Sequence, residues 1–172
     1  MTITVDALVL EARKLGVDCL YSEKRHFTTK SLWNGVAFWT GLLSAAIAAV
    51  AGYKGLSSMD GSGQIAGWLA LMSAVITGVV TMLKPQEKAD QHHATAIGYQ
   101  RLRLRLRQFI QLDCSSGHGL DVLQRRLMTL TEEKIQLNAQ APSTPWFAYW
   151  LAKRGIDKGE AEYTERELAL IA

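Results

Sequence analysis

Two stretches of this chain, residues 31–53 and 61–83, contain no Asp, Glu, Lys, Arg or His, and nothing else in the sequence constrains the fold as strongly. Each is 23 residues long. As a helix rising about 1.5 Å per residue, each reaches about 34 Å, enough to cross a hydrocarbon core of about 30 Å. Apolar runs in the core helices of soluble domains are usually shorter, about 10–14 residues. Trp33 and Tyr53 bracket the first stretch and Trp68 sits near the start of the second, where membrane interfaces favour aromatic rings. The whole-chain average hides this pattern: 48% apolar residues and a mean hydropathy of +0.02 would suit a soluble domain. A cleaved signal peptide is a poor reading of the first stretch. Thirty residues, many of them charged, precede it, and no small-residue cleavage pattern follows.

Charge placement sets the expected topology. Arg13, Lys14, Lys24, Arg25 and Lys30 precede the first stretch, and Lys84, Lys88, Arg101 and Arg103 follow the second. The connection carries only Lys54, offset by Asp60. Basic residues concentrate on the cytoplasmic side of membranes, so both termini are expected inside and the loop outside. That loop is rich in Gly and Ser, as a tight solvated turn requires. Cys19 and Cys114 then both face a reducing compartment, and neither has metal-ligand spacing.

The remaining chain reads as helices. Val5, Leu8, Ala12, Leu15 and Cys19 recur at spacings of three and four over residues 3–21. A second stripe, Tyr99, Leu102, Leu106, Phe109 and Ile110, falls in a segment 86–112 that starts after Pro85, a residue tolerated in a first helical turn. A third, Leu120, Leu123, Leu127, Leu130 and Leu137, covers 119–139 and breaks its heptad once, at Lys134. Gly117 and Gly119 mark the turn between the last two, and no strand is required. The expected fold is an all-α membrane protein: a two-transmembrane helical hairpin with a cytosolic helical bundle. Its parts are a cytosolic amphipathic helix at 1–31, transmembrane helices at 32–53 and 65–83 around an external loop at 54–64, a cytosolic helical hairpin at 84–139, and a Pro/aromatic segment with charged tail at 140–172. In that last part Pro142 and Pro145 end the preceding helix before an aromatic cluster, Trp146, Phe147, Tyr149 and Trp150. The cluster is too short to span a membrane. It can pack on the cytosolic helices, lie at the membrane interface, or dock on another subunit or partner.

At about 100° per residue, small and hydroxyl-bearing residues share one side of each apolar helix. On the first these are Asn34, Ala37, Thr40, Gly41, Ser44, Ala45, Ala48, Ala51 and Gly52; on the second, Ala66, Gly67, Ala70, Ser73, Ala74, Thr77, Gly78 and Thr81. Bulky residues fill the opposite sides. Two uses are open: close packing of helix on helix, which small residues permit, or the lining of a water-filled path in an oligomer. Hydroxyls can satisfy themselves on the preceding turn, so they do not require water. No charge lies within either stretch, which argues against a proton relay or voltage sensor.

Sites for catalysis are not evident. His92 and His93 point about 100° apart on a helix and no carboxylate repeats at metal spacing, so solvated or stacking histidines outweigh a metal-dependent membrane enzyme. No nucleophilic triad, phosphate loop or zinc motif appears, and neither enzymatic activity nor a cofactor is expected. Arg101, Arg103, Arg105 and Arg107 alternate with leucines and flank the apolar stripe of their helix. There they suit ion pairs with Glu132 and Glu133, or recognition of an anionic, phosphate-bearing ligand. Nucleic acid is a poor fit.

Taken together the chain resembles the SLATT family, the two-transmembrane effector domains of bacterial conflict systems. The resemblance rests on the amphipathic N-terminal helix, the hairpin of two spans, Lys84-Pro85-x-Glu87-Lys88-Ala89 after the second span, and His93 and Tyr99 leading into the basic helix. It extends through the leucine-periodic helix to Ala141-Pro142-x-x-Pro145 and Tyr149-x-x-Ala152-Lys153, nearly the full chain. It implies an oligomeric effector in the bacterial inner membrane that forms a pore or disrupts the bilayer during an antiphage, growth-arresting response. It also implies a nucleotide-signal synthase or sensor protein as partner beside the bilayer and further copies of the chain. A non-conducting adaptor that recruits a cytosolic partner is the alternative.

Overall fold

A computed structural model of the chain describes residues 4–57 and 63–159. Five α-helices follow in order: α1 (Val5–Ser57), α2 (Gly63–Leu83), α3 (Pro85–Gln108), α4 (Leu120–Gln140) and α5 (Trp146–Asp157). No strand occurs among the described residues. Contacts divide the chain into two units, residues 1–29 with 91–172 and residues 30–90. Both α1 and α3 contribute residues to each.

The two elements expected at 1–31 and 32–53 are one helix. Residues 22–31 contain no Gly or Pro to interrupt it. The two threonines there fold their hydroxyls onto the helix itself: Thr28 and Thr29 each donate at 2.9 Å, to the carbonyls of Lys24 and Arg25. At the other end α1 continues to Ser57 and α2 begins at Gly63, so the expected loop is narrower than 54–64. Residues 58–62 of that loop, and the tail from 160, lie outside the described residues.

The first unit holds a core shared by three helices. Leu8, Ala12, Leu15 and Cys19 of α1 meet Tyr99, Leu102 and Leu106 of α3, Phe109 beyond it, and Leu123, Leu127 and Leu130 of α4. Every one of these lies on a stripe legible in the sequence. Leu120 of the third stripe and Val5 of the first remain exposed at the ends of the cluster. The break in the third stripe has a local cause: Lys134 turns toward α1, and its ammonium donates to Asp18 at 2.5 Å. The end of the segment expected as helix 86–112 widens into a π-helical turn at Phe109–Asp113, closed by the Cys114 N–H donating to the Phe109 carbonyl at 3.0 Å. Gly117, at φ +72°, supplies the left-handed conformation that lets the chain reverse into α4.

In the second unit α1 and α2 form an antiparallel hairpin. A Cβ placed on Gly55 would stand 3.9 Å from that of Ala66, and Ser44 meets Ser73 midway along. One residue separates α2 from α3. Pro85 disfavours right-handed helical geometry at the residue before it, and Lys84 sits at φ +46°, a left-handed conformation uncommon for a non-glycine residue. The Lys84 ammonium reaches Glu87 in the next turn at 2.8 Å. The Lys88 ammonium lies 4.4 Å from the centre of the Trp33 ring, a cation–π contact.

Candidate functional site

The hairpin buries what a water-soluble protein would expose and exposes what it would bury. Its covered positions include Ser44, Ala51, Ala66 and Ser73, whereas Phe38, Trp39, Leu42, Leu43, Trp68, Met72 and Val75 lie uncovered. Only 6% of the most apolar window of each long helical stretch is buried within the chain. A contiguous apolar surface of this extent needs a non-aqueous environment or a partner. Both helices are long and apolar enough to cross a membrane.

The small-residue faces divide into two parts. At the seam the Ser73 hydroxyl donates to the Ser44 carbonyl at 3.0 Å, the two hydroxyls stand 3.0 Å apart, and Thr77 Oγ1 lies 2.7 Å from Ser44 Oγ. Ser44, Ser73 and Ala66 therefore close the hairpin. Thr40 and Asn34 are half-buried beside them, and the Asn34 Oδ1 is buried without a hydrogen-bond partner among the described residues. The other part is uncovered: Gly41, Ala45, Ala48 and Gly52 on α1, and Gly67, Ala70, Ala74, Gly78 and Thr81 on α2, with Thr77 at its border with the seam. At about 100° per residue these follow their seam residues, Ser44 and Ser73, by rotations of about 40° to 140° in the same sense. Antiparallel helices reverse that sense in space, so both arcs open on one side of the hairpin. The result is a single small-residue face. Cβ atoms added to Gly41, Gly52, Gly67 or Gly78 would meet nothing within 4 Å, so none of these glycines serves a close approach inside this chain. Thr40, Thr77 and Thr81 donate to the carbonyls four residues back, Val36, Ser73 and Thr77, at 2.6, 2.9 and 2.8 Å, so their hydroxyls need no solvent.

In the first unit the four arginines do not converge. Arg103 Nε donates to buried Glu23 Oε2 at 2.8 Å, its Nη2 lies 3.4 Å from Oε1, and Arg105 pairs with Glu133. Arg101 and Arg107 point outward. One of the pairs follows the sequence expectation. The other was hidden, because Glu23 lies 80 residues away in the sequence.

A buried polar line on α1 was also missed. Glu23, His26 and Thr29 continue the spacing of Leu8, Ala12, Leu15 and Cys19, and that periodicity was the available signal. His92 is not solvated: its Nδ1 lies 2.9 Å from that of His26, and His26 also stacks on Tyr99 with ring centres 5.8 Å apart. One ring must donate and the other accept, which requires at least one neutral imidazole. Burial, then the neighbouring His92 and Arg25, push His26 down to about 4, and burial lowers His92. His93 turns elsewhere, against Phe27, with its Nδ1 buried and unpartnered among the described residues. Burial raises the Cys19 thiol to about 11, so it behaves as a core residue rather than a nucleophile.

The aromatic cluster lies on α5, which packs through Ala148 and Ala152 while Trp146, Phe147 and Trp150 face outward. Tyr149, itself half-exposed, stacks on Tyr21 with centres 6.1 Å apart, and Trp146 meets Phe147 edge to face at 5.9 Å. No family model matches the chain, and neither a curated protein nor a solved structure matches it.

Proposed function

We propose that this protein is a bacterial inner-membrane effector of the SLATT kind, with both termini cytoplasmic. Several copies assemble and open a pore or breach the bilayer in an antiphage, growth-arresting response. The observation that carries this reading is the uncovered small-residue face spanning both helices of the hairpin. Glycine in a helix interior costs about 1 kcal/mol relative to alanine, and lipid tails offer nothing in return. Close approach of another helix does, because association in membranes depends on packing and small residues let backbones meet. A second copy of the hairpin supplies such a helix. The nine basic residues flanking the hairpin against one in its connection support the orientation. The bundle of the first unit then lies in the cytoplasm, where a nucleotide-signal synthase or sensor protein can act on it.

The test is release of a self-quenched dye from liposomes carrying the purified protein. Gly78→Leu is the informative variant: space around a Cβ at Gly78 is open within the chain, so the hairpin itself tolerates the change. Insertion should persist and release should fall to the level of empty vesicles. Release equal to wild type would show that this face neither assembles nor lines a pore.

The adaptor reading retains one specific support, the outward Trp146, Phe147 and Trp150 on a helix that already packs through alanines. Under it, wild-type vesicles stay sealed with every candidate nucleotide, and Trp150→Ala loses a cytosolic partner without changing insertion.

A further inference from the structure

A cavity of about 720 Å³ opens in the first unit among α1, α3, α4, α5 and the non-helical segment 141–145. Small-molecule sites usually enclose about 300–1,000 Å³. Its wall is rich in donors. Arg25 lines it, and the Nε of that side chain is buried with no hydrogen-bond partner among the described residues. Lys134 and Asp18 also line the cavity but pair with each other at 2.5 Å, so their charges cancel and Arg25 leaves the wall net positive. Asn138 accepts the Tyr99 hydroxyl on its Oδ1 at 2.6 Å, which leaves the amide nitrogen to donate. The stacked rings of Tyr21 and Tyr149 supply an aromatic surface on the same wall. Opposite the helices, Pro142 lies within the 141–145 segment and Pro145 ends it; with φ fixed at both, the segment is stiff before any ligand arrives.

A guanidinium recognises oxyanions through paired hydrogen bonds, and aromatic surfaces take planar rings by stacking. We infer that this cavity binds a small phosphate ester carrying a planar ring, its phosphate on Arg25 and Asn138 and its ring against the Tyr21–Tyr149 pair. The arginines at 101–107 are not that site. Conductance plays no part in this inference, so it stands or falls separately from the effector reading, which vesicle release decides.

Titration calorimetry on the full chain in detergent micelles tests it, with AMP and phenyl phosphate as probes and adenosine and inorganic phosphate as controls. AMP and phenyl phosphate should bind, and each control should bind at least about tenfold more weakly, the equivalent of about 1.4 kcal/mol. Arg25→Gln should weaken AMP binding at least about tenfold, as expected for loss of a charged hydrogen bond. Thr144→Trp, in the non-helical segment, should fill the cavity and abolish binding without touching Arg25; it covers the case in which Arg25→Gln fails to fold. The inference is overturned if neither ester binds wild type, if inorganic phosphate binds as well as AMP, or if either folded variant keeps wild-type affinity.

Discussion

The two units are built from the same kind of helix with opposite rules. In residues 4–29 and 91–159 the large covered side chains include leucines, tyrosine and phenylalanine, and most charges face outward. In residues 30–90 the covered side chains include serine and alanine, and leucine, tryptophan and valine face outward. The contrast runs through a single continuous helix. Along α1 the buried face is Leu8, Ala12, Leu15 and Cys19, then Glu23, His26 and Thr29, and finally Ser44 and Ala51. What a helix buries is therefore set by its surroundings, and not by hydrophobicity alone. Water drives leucine inward, whereas a hydrocarbon solvent removes that drive and leaves close contact and hydrogen bonding to hold helices together.

That contrast can be broken most severely at Glu23. Its carboxylate is covered, and Arg103 is the partner that makes this tolerable. Arg103→Leu should destabilise the first unit by about 3–5 kcal/mol, the usual result of stranding a buried charge. Hydrogen exchange should show protection lost in α3, α4 and the start of α1 while residues 35–50 stay protected. Uniform loss across both units would mean that they unfold together.

A matched pair of truncations sharpens the comparison. Leu106→Ala removes a side chain that is 1% exposed and should cost about 3 kcal/mol in denaturant unfolding. Leu42→Ala removes the same atoms from a residue that is 51% exposed and should cost no more than about 0.5 kcal/mol. Equal costs would show that Leu42 is covered, for example by another copy.

Acid should distinguish the units next. His26, ordinarily near 6.5, is held near 4 in the fold, and His92 is lowered as well. The unfolded chain therefore takes up protons that the folded chain resists. The contribution of these rings is complete above pH 6.5 and is lost as pH falls toward 4, with a slope of up to about 1.4 kcal/mol per pH unit for each ring. Thermal midpoints should fall across that window, and His26→Phe should flatten the dependence. A midpoint constant from pH 7 to 4.5 would contradict the buried pair.

The smallest expected effect lies at the hairpin seam. Ser73→Ala removes the hydroxyl that bonds Ser44 and should cost about 0.6 kcal/mol, typical of hydrogen bonds between membrane helices. Steric trapping of the hairpin in micelles measures this, and a cost above about 2 kcal/mol would make the serine pair the main fastening of the hairpin.

The sequence alone determined the helical class, the two apolar stretches and the three stripes that build the core of the first unit. Each is a one-dimensional pattern, a run without charge or a spacing of three and four, so no knowledge of partners was needed to see it. It also marked the small faces, but as one property. Only tertiary structure divided them, into Ser44, Ala66 and Ser73 at the seam and Gly41, Gly67, Ala70, Ala74, Gly78 and Thr81 outside it. The same holds for Arg103 with Glu23, His26 with His92, and Lys134 with Asp18, which lie 80, 66 and 116 residues apart. Periodicity gives the direction in which a side chain leaves its own helix, while the identity of the group it meets depends on which helices pack together, and that is a property of the folded chain.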